Sequence, residues 1–181
     1  MLLNRSQREL LLPLGVALAL SLTGDSTLYA VLPNRGEVVG VSLGAVGVLL
    51  GANRLVRIPG NPLAGLLNDR LGRRRLFLLG LALGILSTLA YGLVRGFWPM
   101  LGARLLWGIA WSLINVGGYT MILDRSSRAD RGRMTGFYQM FYLLGLTQPN
   151  LRILDSAGFS AGKTAENLSE RAKKAKLAVF N

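Results

Sequence analysis

Long apolar runs alternate with short, arginine-rich segments along most of this chain. Runs with few or no charged residues cover approximately residues 10–32, 38–67, 76–94 and 98–123. Each run is long enough to cross a bilayer as a helix, because about 20 helical residues span a ~30 Å hydrocarbon core. The pattern therefore predicts an all-α membrane protein, a bundle of transmembrane helices with the lipid bilayer as its surroundings.

The fifth apolar segment, residues 134–147, is too short to cross that core, since it holds only about 14 residues. From residue 148 to 181 the composition becomes polar and charged, and no spanning run follows. We expect this region to be a soluble, non-native tail that arose by truncation, frameshift or rearrangement, with a modest amphipathic helix over 164–179. A natural soluble tail is the alternative.

The arginines indicate how the helices are oriented. The N-terminal lead at 1–9 and the segments at 68–75 and 124–133 hold two, four and four arginines, whereas 33–37 and 95–97 hold one each. Lys and Arg accumulate in cytoplasmic loops, so the N-terminus is predicted to be cytoplasmic. The net charge of +12 therefore reflects topology, and we do not expect nucleic-acid binding.

The first apolar run has a second interpretation, a cleaved signal peptide. The run is longer than a typical signal core, and it lacks a clear cleavage site with small residues. These two features favour an uncleaved first helix.

A motif with fixed spacing of glycine, aspartate and arginine lies between the second and third runs. Residues 65–75 read Gly-Leu-Leu-Asn-Asp-Arg-Leu-Gly-Arg-Arg-Arg. This stretch resembles the signature loop between helices 2 and 3 of the major facilitator superfamily of secondary transporters. The matching positions are Gly65, Leu67, Asp69, Arg70, Gly72, Arg73 and Arg74, and Asn68 stands where a small residue is usual. The alternative, a generic positively charged loop, needs no such spacing.

The resemblance implies the first four helices and part of the fifth of a twelve-helix fold, whose substrate binds between two six-helix halves. It implies transport of a small molecule, with protons as a possible coupling ion. In the family, the aspartate at position 69 faces helix 11 of the other half. Because the C-terminal half is missing here, we expect a fragment that is inactive alone.

A weaker resemblance concerns the second helix. Residues 52–65 are similar to helix 2 of drug-efflux-like members, which implies efflux across a bacterial inner membrane. The alternative function is a non-transporting membrane module that packs with a partner membrane protein through its glycine faces. The clearest such face is predicted on helix 2, where small residues recur at helical spacing: Gly40, Gly44, Gly47 and Gly51.

Asp25 and Arg104 are ionisable residues inside predicted helices, where charges usually face a cavity or a partner. Asp25 lies ~22 Å from the cytoplasmic face and Arg104 ~21 Å, at 1.5 Å rise per residue. The equal depths predict an ion pair between helices 1 and 4, which would offset the desolvation of both charges. The alternative is that each side chain snorkels or contacts backbone carbonyls.

Arg104 and Gly108 also resemble a second superfamily motif, Arg-x-x-Gln-Gly on helix 4, with Trp107 in place of the glutamine. In the family this arginine lines the cavity and is implicated in proton coupling. On helix 2, Arg54 is predicted to be a cytoplasmic gate element or to snorkel, and Arg57 to snorkel to the headgroups.

No enzyme chemistry is visible in the sequence. The chain has no histidine and no cysteine, and it shows no nucleophile–base pair, paired carboxylates or metal-ligand cluster. Gly158–Thr164 nearly matches a phosphate-binding loop, but three residues separate its glycines where four are needed. We therefore predict no enzyme, no cofactor and no metal site.

Overall fold

The computed structural model describes residues 4–35 and 40–156, and these residues form an all-α bundle. Five helices follow in order: α1 Arg5–Arg35, α2 Leu43–Leu71, α3 Arg73–Leu93, α4 Phe97–Arg125 and α5 Arg131–Ser156. The predicted fold class is therefore confirmed. Three of these helices are long and apolar enough to cross a membrane, namely Arg5–Tyr29 of α1, α3 and α4.

The helix α4 lies at the centre of the described bundle, packed against α3 and α2, while α1 packs mainly against α5. Small residues allow the close approaches. A Cβ atom at Gly108 would lie 2.7 Å from the carbonyl oxygen of Asn53 in α2, and one at Gly80 would lie 2.9 Å from the backbone nitrogen of Ile114 in α4. Real Cβ contacts of this length do not occur, so glycine sets the distance of α4 from both neighbours.

The glycine-rich face of α2 is not a packing surface within the described residues. A Cβ atom at Gly44, Gly47 or Gly51 would meet no atom within 4 Å. The helix instead buries Val46 and Leu49, which follow the first two glycines by two residues and so lie about 200° around the helix from them. The prediction of close packing through these glycines is wrong for this bundle, because periodicity identifies a face but not its partner.

The signature motif is helical rather than a loop. Residues 65–71 form the last turns of α2, the first turn of α3 begins at Arg73, and Gly72 alone connects them. Gly72 has φ 81° and ψ 147°, and its N–H donates to the carbonyl of Asn68. A side chain is rarely tolerated at such a φ, so glycine is needed where the chain reverses. The loop predicted at 68–75 is wrong in this respect.

The helix α5 continues past residue 147, where the composition predicted the last span to stop. It has 26 residues and contains Pro149. Proline has no N–H, so the carbonyl of Gly145 loses its usual helical partner. The hydroxyl of Ser26 in α1 donates to that carbonyl at 3.3 Å, which offsets the loss. The predicted tail helix at 164–179 and the glycine-rich stretch at 158–164 lie outside the described residues.

Candidate functional site

A buried ion pair joins α1 to α4 in the interior of the bundle. Nη1 of Arg104 contacts Oδ1 of Asp25, and the two side chains are 0% and 7% exposed. The pair expected from the matched depths is therefore present in the structure. Two such charges are tolerated in a low-dielectric interior because each compensates the other.

Three neighbouring helices hold the guanidinium of Arg104. Its Nη1 also donates to the hydroxyl of Tyr91 in α3 at 3.3 Å, and its Nε donates to the carbonyl of Leu49 in α2 at 3.4 Å. Its Cζ lies 4.8 Å from the ring centroid of Tyr29 in α1 and 5.7 Å from that of Tyr91. Both rings are within the range of cation–π attraction. A single side chain thus links α1, α2, α3 and α4.

A second set of contacts extends this network along α2. The side chain of Asn53 is fully buried; its Nδ2 donates to the hydroxyl of Tyr29 at 3.4 Å, and its Oδ1 accepts from Nε of Arg57 at 3.0 Å. The Cζ of Arg57 lies 5.0 Å from the ring centroid of Trp111 in α4. The prediction that Arg57 snorkels to the headgroups is wrong, because an amide oxygen and an aromatic face hold it inside the bundle.

A cavity of about 280 Å³ opens beside the ion pair. It brings together side chains from α1, α2, α4 and α5: Leu22, Asp25, Ser26, Tyr29, Arg54, Arg57, Trp111, Tyr142 and Leu146. The rings of Trp111 and Tyr142 are 5.7 Å apart and form an aromatic wall. Asp25 and Arg54, two of the residues singled out in the sequence, therefore share one cavity, and charged groups converge with aromatic ones there.

A larger cavity of about 690 Å³ lies between α1, α3 and α4 and includes Leu14, Phe77 and Leu81. Its walls are mostly apolar, and its charged residues come from the ends of the helices. Ligand sites combine apolar walls with a few convergent polar groups, so the smaller cavity is the better candidate. Across residues 4–35 and 40–156, no three His, Cys, Asp or Glu side chains group as a metal site.

The other two residues of the second motif, Gly108 and Trp107, pack in the interior of the bundle. Gly108 lies at the α2–α4 contact and is absent from the lining of the 280 Å³ cavity. Trp107 is fully buried, and its indole Nε1, like Nη2 of Arg104, has no hydrogen-bond partner among the described residues. An indole offers a single donor and no acceptor, whereas a glutamine offers both. The tryptophan therefore supplies one donor and no acceptor next to the ion pair.

The signature residues form a separate, exposed region at the α2–α3 connection. Asp69, Arg70 and Arg74 are exposed, and Asp69 forms no ion pair with a described residue. A Cβ atom at Gly65 would meet nothing within 4 Å. Arg73 pairs through Nη1 with Oδ2 of Asp124 at the end of α4. The motif thus contributes one link between helix ends and leaves a carboxylate on the surface.

Sequence reasoning named the ion pair but not the residues that hold it. Four were missed: Tyr29, Asn53, Tyr91 and Trp111. Three of them carry a signal, since Tyr29 follows Asp25 by four residues, Asn53 precedes Arg57 by four, and Trp111 follows Arg104 by seven. Residues at these spacings share a helix face. Tyr91 has no ionisable neighbour at such a spacing on its own helix.

The model of the family described as Major Facilitator Superfamily matches residues 14–147. The chain belongs to the major facilitator superfamily. The match covers α2, α3 and α4 entirely, together with most of α1 and α5. The members of this family are transporters, so the chain is an integral membrane protein of a transporter family, as its apolar helices indicate.

Curated relatives have diverse names. The chain is 31% identical to the probable vesicular acetylcholine transporter-B of Danio rerio over 155 residues, which are 78% of this chain and 31% of that protein. It is 25% identical to the arabinose-proton symporter of Bacillus subtilis (strain 168), over 56% of this chain and 22% of that protein. It is also 25% identical to multidrug resistance protein 2 of the same strain, over 63% of this chain and 28% of that protein. The chain spans less than a third of the length of each.

Proposed function

We propose that this chain is part of a proton-coupled secondary transporter that exports a small molecule. Its helices line one side of the transport pathway. The observation that carries the proposal is the buried Asp25–Arg104 pair beside a cavity with convergent polar groups. Ionisable residues at membrane depth typically mark substrate or proton pathways. The name of the arabinose-proton symporter supports proton coupling, and the resemblance of residues 52–65 to drug-efflux-like members supports export.

The positions of Asp25 and Arg104 suggest how proton binding alters the contact between α1 and α4. Asp25 lines the cavity while Arg104 lies behind it, so a proton arriving from the cavity reaches the carboxylate first. Protonation removes the charge that compensates the guanidinium. Arg104 then faces a neutral carboxyl, and its other contacts among the described residues are the hydroxyl of Tyr91, the carbonyl of Leu49 and two aromatic faces. The attraction between α1 and α4 falls, and the contact between these helices becomes the element that proton binding biases.

Transport in this proposal needs helices beyond the five described. Substrate sites in such transporters lie between two repeats near the bilayer midplane, and the relatives above are more than three times as long as their aligned segments. The remaining helices supply the opposite wall of the cavity. The protein acts in a bacterial inner membrane, and its substrate is a small molecule whose identity the relatives' names leave open.

The test uses membrane vesicles from the source cells, with the gene intact, deleted or carrying Arg104→Gln. A pH gradient is imposed, and fluxes of acetylcholine, arabinose and the dye ethidium are measured together with proton release. A proton-linked flux that is lost on deletion and in Arg104→Gln, at equal expression, supports the proposal. If deletion changes no flux and no proton movement, and the chain co-purifies with an unrelated membrane protein, the non-transporting module is correct instead.

The proposed orientation, with a cytoplasmic N-terminus, has its own test. The chain has no native cysteine, so a single cysteine at exposed Ser6 or Ser127 is the only thiol. An impermeant maleimide added outside intact cells should label neither variant, and it should label both after the cells are opened. A cysteine at Arg95, in the α3–α4 connection, should be labelled from outside. Labelling of Ser6→Cys in intact cells would reverse the orientation.

A further inference from the structure

The charges that line the 280 Å³ cavity do not balance. Its ionisable lining consists of Asp25, Arg54 and Arg57 in the described part of the chain, together with the hydroxyls of two tyrosines. The carboxylate is already paired with Arg104, which is fully buried behind it. Within residues 4–35 and 40–156 no carboxylate forms an ion pair with Arg54 or Arg57. The cavity wall therefore carries an excess of positive charge.

Arg57 is held in one orientation inside this wall. Its Nε donates to Oδ1 of Asn53 at 3.0 Å, and its guanidinium lies over the ring of Trp111 at 5.0 Å. Asn53 is in turn fixed by the hydroxyl of Tyr29. No described group accepts a hydrogen bond from the two terminal nitrogens of Arg57. A guanidinium positioned in this way presents a planar pair of donors, which matches the geometry of a carboxylate.

The rest of the lining suits an aromatic body. Trp111 and Tyr142 form a tilted pair with centroids 5.7 Å apart, and Leu22 and Leu146 add apolar surface. The volume of about 280 Å³ is just below the range of about 300–1,000 Å³ that is typical of ligand pockets. A compound with a single ring fills such a space, with its charged group toward α2 and its ring between α4 and α5.

We propose that this cavity binds small aromatic carboxylates, with Arg57 as the principal contact of the anion and Arg54 as a second positive charge. The inference rests on the proposed function in that it names the substrate class of the proposed transport site. A cation is disfavoured, because the single carboxylate of the described lining is neutralised by Arg104 while two guanidinium groups repel a positive ligand.

Binding is measured on the full chain in nanodiscs, without a pH gradient, through quenching of tryptophan fluorescence. Trp98 is 77% exposed, so Trp98→Phe removes the signal of an exposed tryptophan. Of the two that remain, Trp111 lines the cavity and is the reporter, whereas Trp107 is fully buried and gives a background signal. The probes are 4-nitrobenzoate, neutral 4-nitrobenzamide and cationic 4-nitrobenzyltrimethylammonium. Saturable quenching by the anion is expected at a Kd at least about tenfold lower than for the other two probes, which corresponds to about 1.4 kcal/mol.

The variants distinguish the effect of the cavity arginines on binding from the effect of net charge. Arg57→Gln should weaken binding of 4-nitrobenzoate about tenfold or more, as expected for a charge-assisted hydrogen bond, and Arg57→Lys should recover part of it. Arg54→Gln should weaken it less, because Arg54 is exposed. Arg95→Gln is the matched control, since it removes one exposed positive charge outside the cavity, and it should change nothing.

Circular dichroism checks that each variant is folded, and Arg57→Lys provides a readout if Arg57→Gln is not. Tighter binding of the cationic probe, or equal binding of 4-nitrobenzoate by the parent and both Arg57 variants, would overturn the inference. Because these measurements involve no flux, they are independent of the vesicle experiment. A preference for the cation leaves the proposed transport intact, whereas binding of 4-nitrobenzoate without proton-linked flux of that anion in the same vesicles refutes the transport proposal alone.

Discussion

Arg104 and Arg73 each form an ion pair between two helices, but their surroundings are opposite. The side chains of Arg104 and Asp25 are 0% and 7% exposed in the interior, whereas those of Arg73 and Asp124 are 47% and 36% exposed at the helix ends. Arg104 is also contacted by a backbone carbonyl and two tyrosine rings. The first pair is part of a network across the bundle, and the second joins two helix termini near solvent.

The two pairs therefore have different energetic meanings. The attraction within a buried ion pair must overcome the desolvation of both charges. A protein with apolar residues in place of the pair is often as stable as the original or more stable. An exposed pair loses little solvation and contributes ~0–1 kcal/mol. The stability of the fold alone therefore does not explain a buried charge pair between α1 and α4. The position of the pair beside a cavity supports the proposed role, in which a change of protonation of Asp25 alters the packing of α1 against α4.

The largest expected effect comes from removing one partner of the buried pair. Asp25→Asn or Arg104→Gln leaves a lone charge or an unsatisfied group in the interior, and each should lower the free energy of unfolding by ~3–5 kcal/mol. The double variant should lose less than the worse single variant, since no uncompensated charge remains. Unfolding in mixed detergent micelles, followed by circular dichroism, measures all three.

The double-mutant cycle also tests the coupling itself. Residues in contact show non-additive effects, whereas independent sites add within ~0.3–0.5 kcal/mol. If the losses of the two single variants simply add in the double variant, Asp25 and Arg104 do not act as a pair, and the contrast with Arg73 disappears.

A second effect concerns the approach of α2 to α4, which brings the carbonyl of Leu49 to Arg104. Gly108→Ala places a methyl group 2.7 Å from the carbonyl oxygen of Asn53, and such overpacking should cost ~1–3 kcal/mol. Gly47→Ala is the matched control on the open face of α2, and it should be neutral or gain up to ~1 kcal/mol from helix propensity. Thermal unfolding in detergent distinguishes them. Equal Tm values for both variants would mean that α2 and α4 are not in close contact.

The sequence carried more information on the buried pair than on its surroundings. The depths of Asp25 and Arg104 follow from a fixed rise per residue and from visible helix boundaries, so the pair was predictable. The position of Arg57 was not, because a long side chain reaches either the headgroups or the interior, and only the neighbouring Asn53 and Trp111 select the interior. Tyr91 comes from a helix without ionisable residues in its apolar part, so nothing local identified it.

The helix boundaries show the same division between local and tertiary causes. Polar composition suggested a loop at 68–75, yet charged residues are compatible with helix ends, and a single glycine is sufficient to reverse the chain. Polar residues after Thr147 suggested that the fifth helix ends there. The helix continues in the structure, and Ser26, far away in sequence, donates to the carbonyl that Pro149 leaves free. Composition reports solvent preference, whereas these boundaries depend on specific hydrogen bonds.

The smallest effect is expected at the exposed pair, and its dependence on salt concentration distinguishes it from the buried pair. Arg73→Gln should lower the free energy of unfolding by at most ~1 kcal/mol at low salt. The difference should shrink in 1 M NaCl, where the Debye length falls from ~10 Å at 0.1 M to ~3 Å. The effect of Arg104→Gln should not depend on salt, because its pair is shielded from solvent. Arg74→Gln, one residue further along α3 and exposed, is the control for net charge. Two results would contradict this contrast: a loss above ~2 kcal/mol in Arg73→Gln, or equal salt dependence at both sites. Either would mean that contacts outside the described residues bury the helix ends, and that both ion pairs are shielded from solvent.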